Sequence, residues 1–162
     1  MKHSVKLKVN GQQHEFAIEP YLTLAELLRD ELQLTGTKLG CRLNSCGCCA
    51  VLLDGKPVNS CSVLALQADG HDVLTVEGLA ADGTLHPLQQ AFVEQNAFQC
   101  GFCTPAILLT AKALLDENPS PTESDVRNAI RGTSCRCTGY TKYVQAILSA
   151  SKESRDHGRA AR

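Results

Sequence analysis

The chain has no tryptophan, three tyrosines and four phenylalanines, which leaves little aromatic surface for stacking nucleic-acid bases. It also lacks a charge excess. Sixteen lysines and arginines stand against 17 aspartates and glutamates in 162 residues, a formal net charge of −1. That balance carries no electrostatic footprint for nucleic acid or for an anionic membrane surface. Long apolar runs are missing as well: Val63 to Leu66 and Ala106 to Leu109 fall far short of the roughly 20 residues a bilayer-spanning helix needs. Met1 to Glu15 alternates polar and apolar residues and has no apolar stretch fit for a secretory signal, so a soluble, cytoplasmic protein is expected. No Gly-x-Gly-x-x-Gly or Gly-x-x-x-x-Gly-Lys nucleotide loop, nucleophile–base set or internal repeat is present. The five histidines (His3, His14, His71, His86, His157) are scattered, and His86 before Pro87 reads as a surface or helix-start residue. At 43% apolar and 20% charged, the composition is that of an ordinary globular chain of one domain or two small ones.

The first half reads as strands. Val5, Leu7 and Val9 alternate with polar residues, Asn10-Gly11 signals a hairpin, and His14, Phe16 and Ile18 resume the period of two. Thr23 with Glu26 forms a capping box for a helix whose Leu24, Leu27, Leu28 and Leu32 share a face. A glycine- and cysteine-rich loop from Gly36 to Cys49 leads to a strand over Ala50 to Leu53. Asp54-Gly55 is a two-residue turn, Pro57 places the returning strand at an edge, and Val73 to Val76 suits a last strand. This order predicts a small α+β sheet of the β-grasp kind. After a polar connector at Ala81-Asp82-Gly83-Thr84, four helical patterns follow. The first spans about Leu85 to Asn96, with Leu85, Leu88 and Phe92 on one face. The second is capped by Thr104, with Pro105 as its first residue, and stops before Pro119. The third opens at Thr122 with Asp125 and ends at Gly132, and the fourth carries Val144, Ile147 and Leu148. The reading is a strand-rich domain over 1–79, a helical domain over 84–150 and a mobile polar tail over 151–162.

What the sequence has in plenty is cysteine: nine residues, an odd number that a pure disulfide framework would leave unpaired. In a reducing compartment such clusters bind metal or do redox chemistry. They fall in two bunches, at 41, 46, 48, 49 and 61 and at 100, 103, 135 and 137, which implies two sites. Cys41, Cys46 and Cys49 have the C-x4-C-x2-C spacing of plant-type [2Fe–2S] proteins, and Cys61 supplies a fourth ligand across the Asp54-Gly55 hairpin. A structural zinc site fits poorly, because zinc ligands usually come as two C-x2-C pairs. Gly40 and Gly47 let the loop wrap closely, so that backbone N–H groups can point at sulfur. The second set, Cys100-Gly-Phe-Cys103 and Cys135-Arg-Cys137, precedes two helices whose dipoles favour an anionic cluster. By spacing alone it could hold zinc, act as a redox dithiol or hold a second cluster.

Cys41-Arg-Leu-Asn-Ser-Cys46-Gly-Cys-Cys49 through Cys61, with Gln99-Cys-Gly-Phe-Cys-Thr-Pro105 and Cys135-Arg-Cys-Thr-Gly-Tyr140, closely resembles the small iron–sulfur subunit of the molybdenum hydroxylases. This is the xanthine oxidase family, which includes aerobic carbon monoxide dehydrogenase and related aldehyde, nicotinate and aromatic acyl-CoA enzymes; the resemblance covers about residues 4 to 150. It implies a plant-ferredoxin-like amino-terminal domain holding the outer cluster through Cys41, Cys46, Cys49 and Cys61. It implies a carboxy-terminal four-helix bundle holding the inner cluster through Cys100, Cys103, Cys135 and Cys137. Gln99 and Cys137 would lie against a molybdopterin carried by a large partner subunit, and a medium partner would carry FAD, in a heterotrimer or its dimer. Electrons would pass from molybdenum through the inner and outer clusters to FAD. The chain itself would hold no substrate-converting site, and neither nucleic acid nor membrane would be a partner.

Four positions depart from the family pattern, among them Ala106 after Pro105, where glycine is common, and Ser134 before Cys135, where a larger apolar residue is usual; both are expected to affect packing rather than ligation. Cys48 stands where a small residue is usual and is read as a small buried side chain, since Cys49 already completes the spacing. Arg42 occupies a place often acidic, and its charge is expected to raise the outer cluster's potential. Tyr140 is read as packing at the bundle interface, with no redox role.

Overall fold

The computed structural model describes residues 1–80 and 83–160, the stretch 153–160 as backbone only. Part of the expected polar connector, residues 81–82, and the last two residues, 161–162, lie outside the described residues. The architecture is α+β. Strands β1 (His3–Val9) and β2 (Gln12–Ile18) pair antiparallel with Val9 opposite Gln12. Asn10 and Gly11 take φ +49° and +84°, as a tight hairpin turn requires. Alternation puts Val5, Leu7 and Val9 into the core, at 2% exposure or less, where each contributes about 1.5–3 kcal/mol of apolar burial.

Helix α1 (Leu24–Glu26) widens at once into a π turn over Leu27–Glu31. Its start is the expected capping box: the Glu26 N–H donates to Thr23 Oγ1 at 3.3 Å and the Thr23 N–H to Glu26 Oε2 at 3.1 Å. Leu24, Leu27 and Leu28 pack into the same core as Val5, Leu7 and Val73. Strands β3 (Ala50–Leu53) and β4 (Lys56–Asn59) form the second hairpin, and β5 (Asp72–Leu74) completes a sheet of order β2-β1-β5-β3-β4. β5 runs parallel to β1 and antiparallel to β3. Pro57 lies on the edge strand, where its missing N–H breaks no ladder bond. β5 ends before Val76, which opens a 3₁₀ turn, so the last strand is shorter than expected.

The second half holds α2 (Pro87–Glu94), α3 (Thr104–Glu117), α4 (Glu123–Ile130) and α5 (Tyr140–Ala160). Their core gathers Leu88, Phe92, Ile107, Leu109, Val126, Ile130, Tyr143 and Ile147. Two helix starts differ from expectation. Leu85 is 44% exposed, because α2 begins after it with His86 as the cap. Thr104 does not cap α3. Cys103 occupies that position in a helical conformation, and Thr104 is already inside the helix, its hydroxyl buried without a partner. Helix α5 continues past residue 150, where the apolar periodicity stops.

Strand β3 joins the halves. Val51 belongs to the sheet core and Leu52 to the helical core, so successive side chains of one strand enter opposite cores. The loop immediately before β3 is the first cysteine loop, which is thereby held against the helices.

Candidate metal centres

The first cysteine loop runs from the π turn into β3, and the Arg29 guanidinium pins its start by donating to the carbonyls of Thr35 and Thr37 at 3.0 and 2.7 Å. Arg42, Asn44 and Gly47 all have positive φ, at +56°, +57° and +69°, and these reversals curl the backbone around Cys41. The N–H groups of Leu43, Ser45 and Cys46 donate to Cys41 Sγ at 3.3, 3.4 and 3.3 Å. Those bonds lower the Cys41 thiol to about 6, so that sulfur is a thiolate at neutral pH before any metal is bound. Cys49 is buried, and burial pushes its thiol up to about 11. Ser60 ties the β3–β4 hairpin by donating from its N–H and hydroxyl to the Cys49 carbonyl at 3.3 and 2.6 Å, which brings Cys61 within hydrogen-bonding reach of Cys49. The expected ligands therefore fall into pairs, Cys41 with Cys46 and Cys49 with Cys61.

That pairing is what a [2Fe–2S] group needs, with two thiolates for each iron. Four thiols in two such pairs are the donor number and type that a two-iron group takes. Arg42 points away from a purely cationic role: its guanidinium is 3.0 Å from Glu26 Oε1, which partly neutralises the charge expected to act on the cluster.

In the second loop set, Cys103 and Cys135 are buried, Cys137 is half-buried and Cys100 exposed. The Tyr143 hydroxyl lies 3.3 Å from Cys103 Sγ and 3.1 Å from Cys135 Sγ. Burial raises the Cys103 thiol to about 11. Burial also acts to raise Cys135, but hydrogen bonds from Tyr143 and from the Gly139 N–H outweigh it and hold that thiol below its ordinary value. Burial, followed by the two neighbouring sulfurs, pushes the Tyr143 phenol well up, so it stays protonated. The Cys135 N–H donates to Tyr140 Oη at 2.7 Å, and Gln99 Nε2 donates to the Cys137 carbonyl at 3.2 Å. Gln99 is thus tied to the loop that carries Cys135 and Cys137, while Tyr140 supports that loop from below.

The two loops touch. The Ser134 N–H donates to the Cys46 carbonyl at 2.8 Å. A Cβ on Gly47 would lie 2.2 Å from the Gly132 carbonyl oxygen, so the backbones meet where a side chain has no room. A Cβ on Gly40 would meet Cys46 Sγ at 3.0 Å and the Phe102 ring at 3.4 Å. Between the loops sits Cys48, 4% exposed, its Sγ 3.7 Å from the Cys46 carbonyl and 3.6 Å from that of Ser134. Burial, then the neighbouring sulfur of Cys46, raises its thiol to about 12, as for a small buried side chain. Tyr143, Phe102 and Ser134 carry no signal in the spacing of the cysteines, and only Tyr143 could have been suspected, as an aromatic on the face that carries Val144 and Ile147.

These geometries define a class: a chain with two cysteine sites that meet where a strand-rich half packs on a helical one. Residues 7–75 match the 2Fe-2S iron-sulfur cluster binding domain and residues 75–148 the [2Fe-2S] binding domain. The chain is 47% identical to the nicotinate dehydrogenase small FeS subunit of Eubacterium barkeri, over 92% of this chain and 95% of that protein. It is 49% identical to the nicotine 6-hydroxylase small subunit of Paenarthrobacter nicotinovorans, over 90% and 88%. The crystal structure of quinoline 2-oxidoreductase from Pseudomonas putida 86 superimposes with a TM-score of 0.91 at 42% identity, covering 96% of this chain and 97% of that one. The chain belongs to the iron–sulfur subunits of the molybdenum hydroxylase family, and its role is electron transfer. Among the described residues no helix is long and apolar enough to cross a membrane.

Proposed function

We propose that this chain is the two-cluster electron relay between a molybdopterin centre and FAD, each held by a partner subunit. Residues 1–79 form the ferredoxin-like domain and 84–150 a four-helix bundle. Cys41, Cys46, Cys49 and Cys61 would hold the outer [2Fe–2S] group, and Cys100, Cys103, Cys135 and Cys137 the inner one. When bound, each group supplies a site that takes up and returns one electron, so two in series divide a two-electron oxidation into single steps. The observation that carries the reading is the meeting of the loops, with the Ser134 N–H on the Cys46 carbonyl and no side chain between Gly47 and Gly132.

The chain's own residues have three tasks. The N–H groups around Cys41 stabilise negative charge on its sulfur. The helix start at Cys103 adds its dipole to the second site. The outward faces supply docking: Leu43, in the first cysteine loop, is 80% exposed and suited to the FAD subunit. Phe98, at 44%, flanks Gln99 and suits the molybdopterin subunit, where Gln99 and Cys137 would meet the pterin. The substrate belongs to that partner. Iron, zinc and acid-labile sulfide content, with EPR of the dithionite-reduced chain, tests the reading. About four iron and four sulfide per chain with two distinct signals is the expected result; zinc, or iron for one site alone, overturns it for the helical half.

A further inference from the structure

The buried phenol of Tyr143 sits in a place where no packing argument alone would put a hydroxyl. The side chain is 1% exposed, and its oxygen lies between Cys103 Sγ and Cys135 Sγ. A phenylalanine would fill the same space without burying a polar atom, and an unpaired buried hydroxyl is costly. The two sulfurs are the partners that offset that cost. The ring is also held in place. It stacks on Phe92 at a centroid distance of 5.8 Å and 6°, and takes the edge of Tyr140 at 6.2 Å and 83°. A Cβ on Gly139 would come within 2.8 Å of the hydroxyl oxygen, so the glycine gives the phenol its room. A thiol can give or accept a hydrogen bond. A metal-bound thiolate can only accept, so with the site loaded the phenol is left as the donor.

We propose that Tyr143 donates a hydrogen bond to the thiolate ligands of the inner cluster and thereby raises that cluster's reduction potential. The inference rests on the reading that Cys103 and Cys135 are inner-cluster ligands. Reduction adds negative charge to a cluster and its sulfurs, and a donor aimed at a sulfur stabilises the reduced form more than the oxidised one. Cys103 and Cys135 are buried from water, so no solvent donor competes with the phenol, and the Gly139 N–H is a second protein donor to Cys135. Tyr143 is a positioning and tuning residue; the reaction at the molybdenum partner does not touch it.

The test is Tyr143→Phe in the full chain within its assembled complex, prepared without oxygen. Iron and sulfide are counted first, and both EPR signals are then followed through a redox titration. The expected result is unchanged iron, an unchanged outer midpoint and an inner midpoint lowered by an electron affinity about ten-fold weaker, equal to about 59 mV for one electron. In parallel, hyperfine spectroscopy of the unmutated chain in H2O and in D2O should find an exchangeable proton coupled to the inner cluster. An inner midpoint that does not move, or two midpoints that move together, overturns the proposal. If the variant loses inner-cluster iron, a fluorinated tyrosine placed at position 143 decides, since the Gly139 N–H also supplies an exchangeable proton: a more acidic phenol should raise the inner midpoint, and an unmoved inner midpoint ends the proposal. An unmutated chain lacking the second cluster overturns the underlying ligand reading instead, so the two failures are distinguishable.

Discussion

Cys48 lies between two expected ligands in sequence, Cys46 and Cys49, yet its surroundings are unlike theirs. Cys41 has three N–H donors on its sulfur and sits at about 6, whereas Cys48 faces two carbonyl oxygens, its thiol pushed to about 12. Burial first, then the neighbouring Cys46 sulfur, raises that thiol; the carbonyls, which can only accept hydrogen bonds, suit the neutral S–H rather than the thiolate that a metal requires. Cys48→Ala should therefore leave iron and sulfide content unchanged and cost about 1 kcal/mol for the lost buried atom. For a chain of this size that lowers Tm by about 2–4 °C in a thermal melt. Loss of either cluster's iron would show Cys48 to be a ligand. Spacing alone sets this cysteine apart as an expected non-ligand, because C-x4-C-x2-C is already complete without it. Tyr143 is the opposite case. Its value comes from two sulfurs 40 and 8 residues away in sequence, and no local pattern carries that information.

Elements were legible where a single residue dictates backbone geometry. Asn10-Gly11 and Asp54-Gly55 adopt the positive φ values that make them hairpin turns, and Thr23 and Thr122 form their capping boxes. The 3₁₀ turns at Ser60–Ser62 and Ala65–Ala68 were not, since they answer to tertiary packing against α1 rather than to periodicity. His86 is the instructive helix start. Its Nδ1 accepts from the Leu88 N–H at 3.2 Å, which only the neutral ring can do. Burial first, then the Lys112 charge, lowers its pKa from 6.5, with Asp116 opposing. The unfolded chain thus binds a proton at a higher pH than the folded one. Stability is fully present above pH 6.5 and falls as pH drops through the ordinary histidine range toward the lower folded value. The lowered carboxylates Glu26, Asp54 and Asp125 act in the same direction but in a more acidic window. Urea midpoints between pH 7.5 and 5.5 should decline for the native chain and decline less for His86→Asn, which keeps a competent cap. Equal slopes would remove His86 from the account.

At the scale of the whole molecule the decisive feature is that the strand-rich and helical halves place their cysteine loops against each other. The order of strands and helices, and the two cysteine sets, were readable along the chain; the junction was not, because it is made of backbone. Gly47 meets the Gly132 carbonyl and the Ser134 N–H meets the Cys46 carbonyl, contacts made by main-chain atoms that side-chain chemistry does not encode. Strand β3 fixes that approach by sending Val51 into one core and Leu52 into the other, so neither domain can shift without disturbing the strand they share. Gly47→Ala tests the junction, and Gly55→Ala is its control. Both glycines have positive φ, +69° and +78°, so both alanines carry a backbone strain of about 1–2 kcal/mol. A Cβ on Gly55 meets nothing within 4 Å, whereas one on Gly47 falls 2.2 Å from a backbone oxygen that no side-chain rotation can relieve. Gly55→Ala should lower Tm by the strain alone and leave the magnetic interaction between the two reduced clusters untouched. Gly47→Ala should lower Tm further and weaken that interaction, because dipolar coupling falls with the cube of the separation and the clash is relieved only by moving the loops apart. Equal melting shifts with equal EPR splittings in the two variants would mean that the loops do not meet at Gly47, and that the distance between the clusters is set elsewhere in the fold.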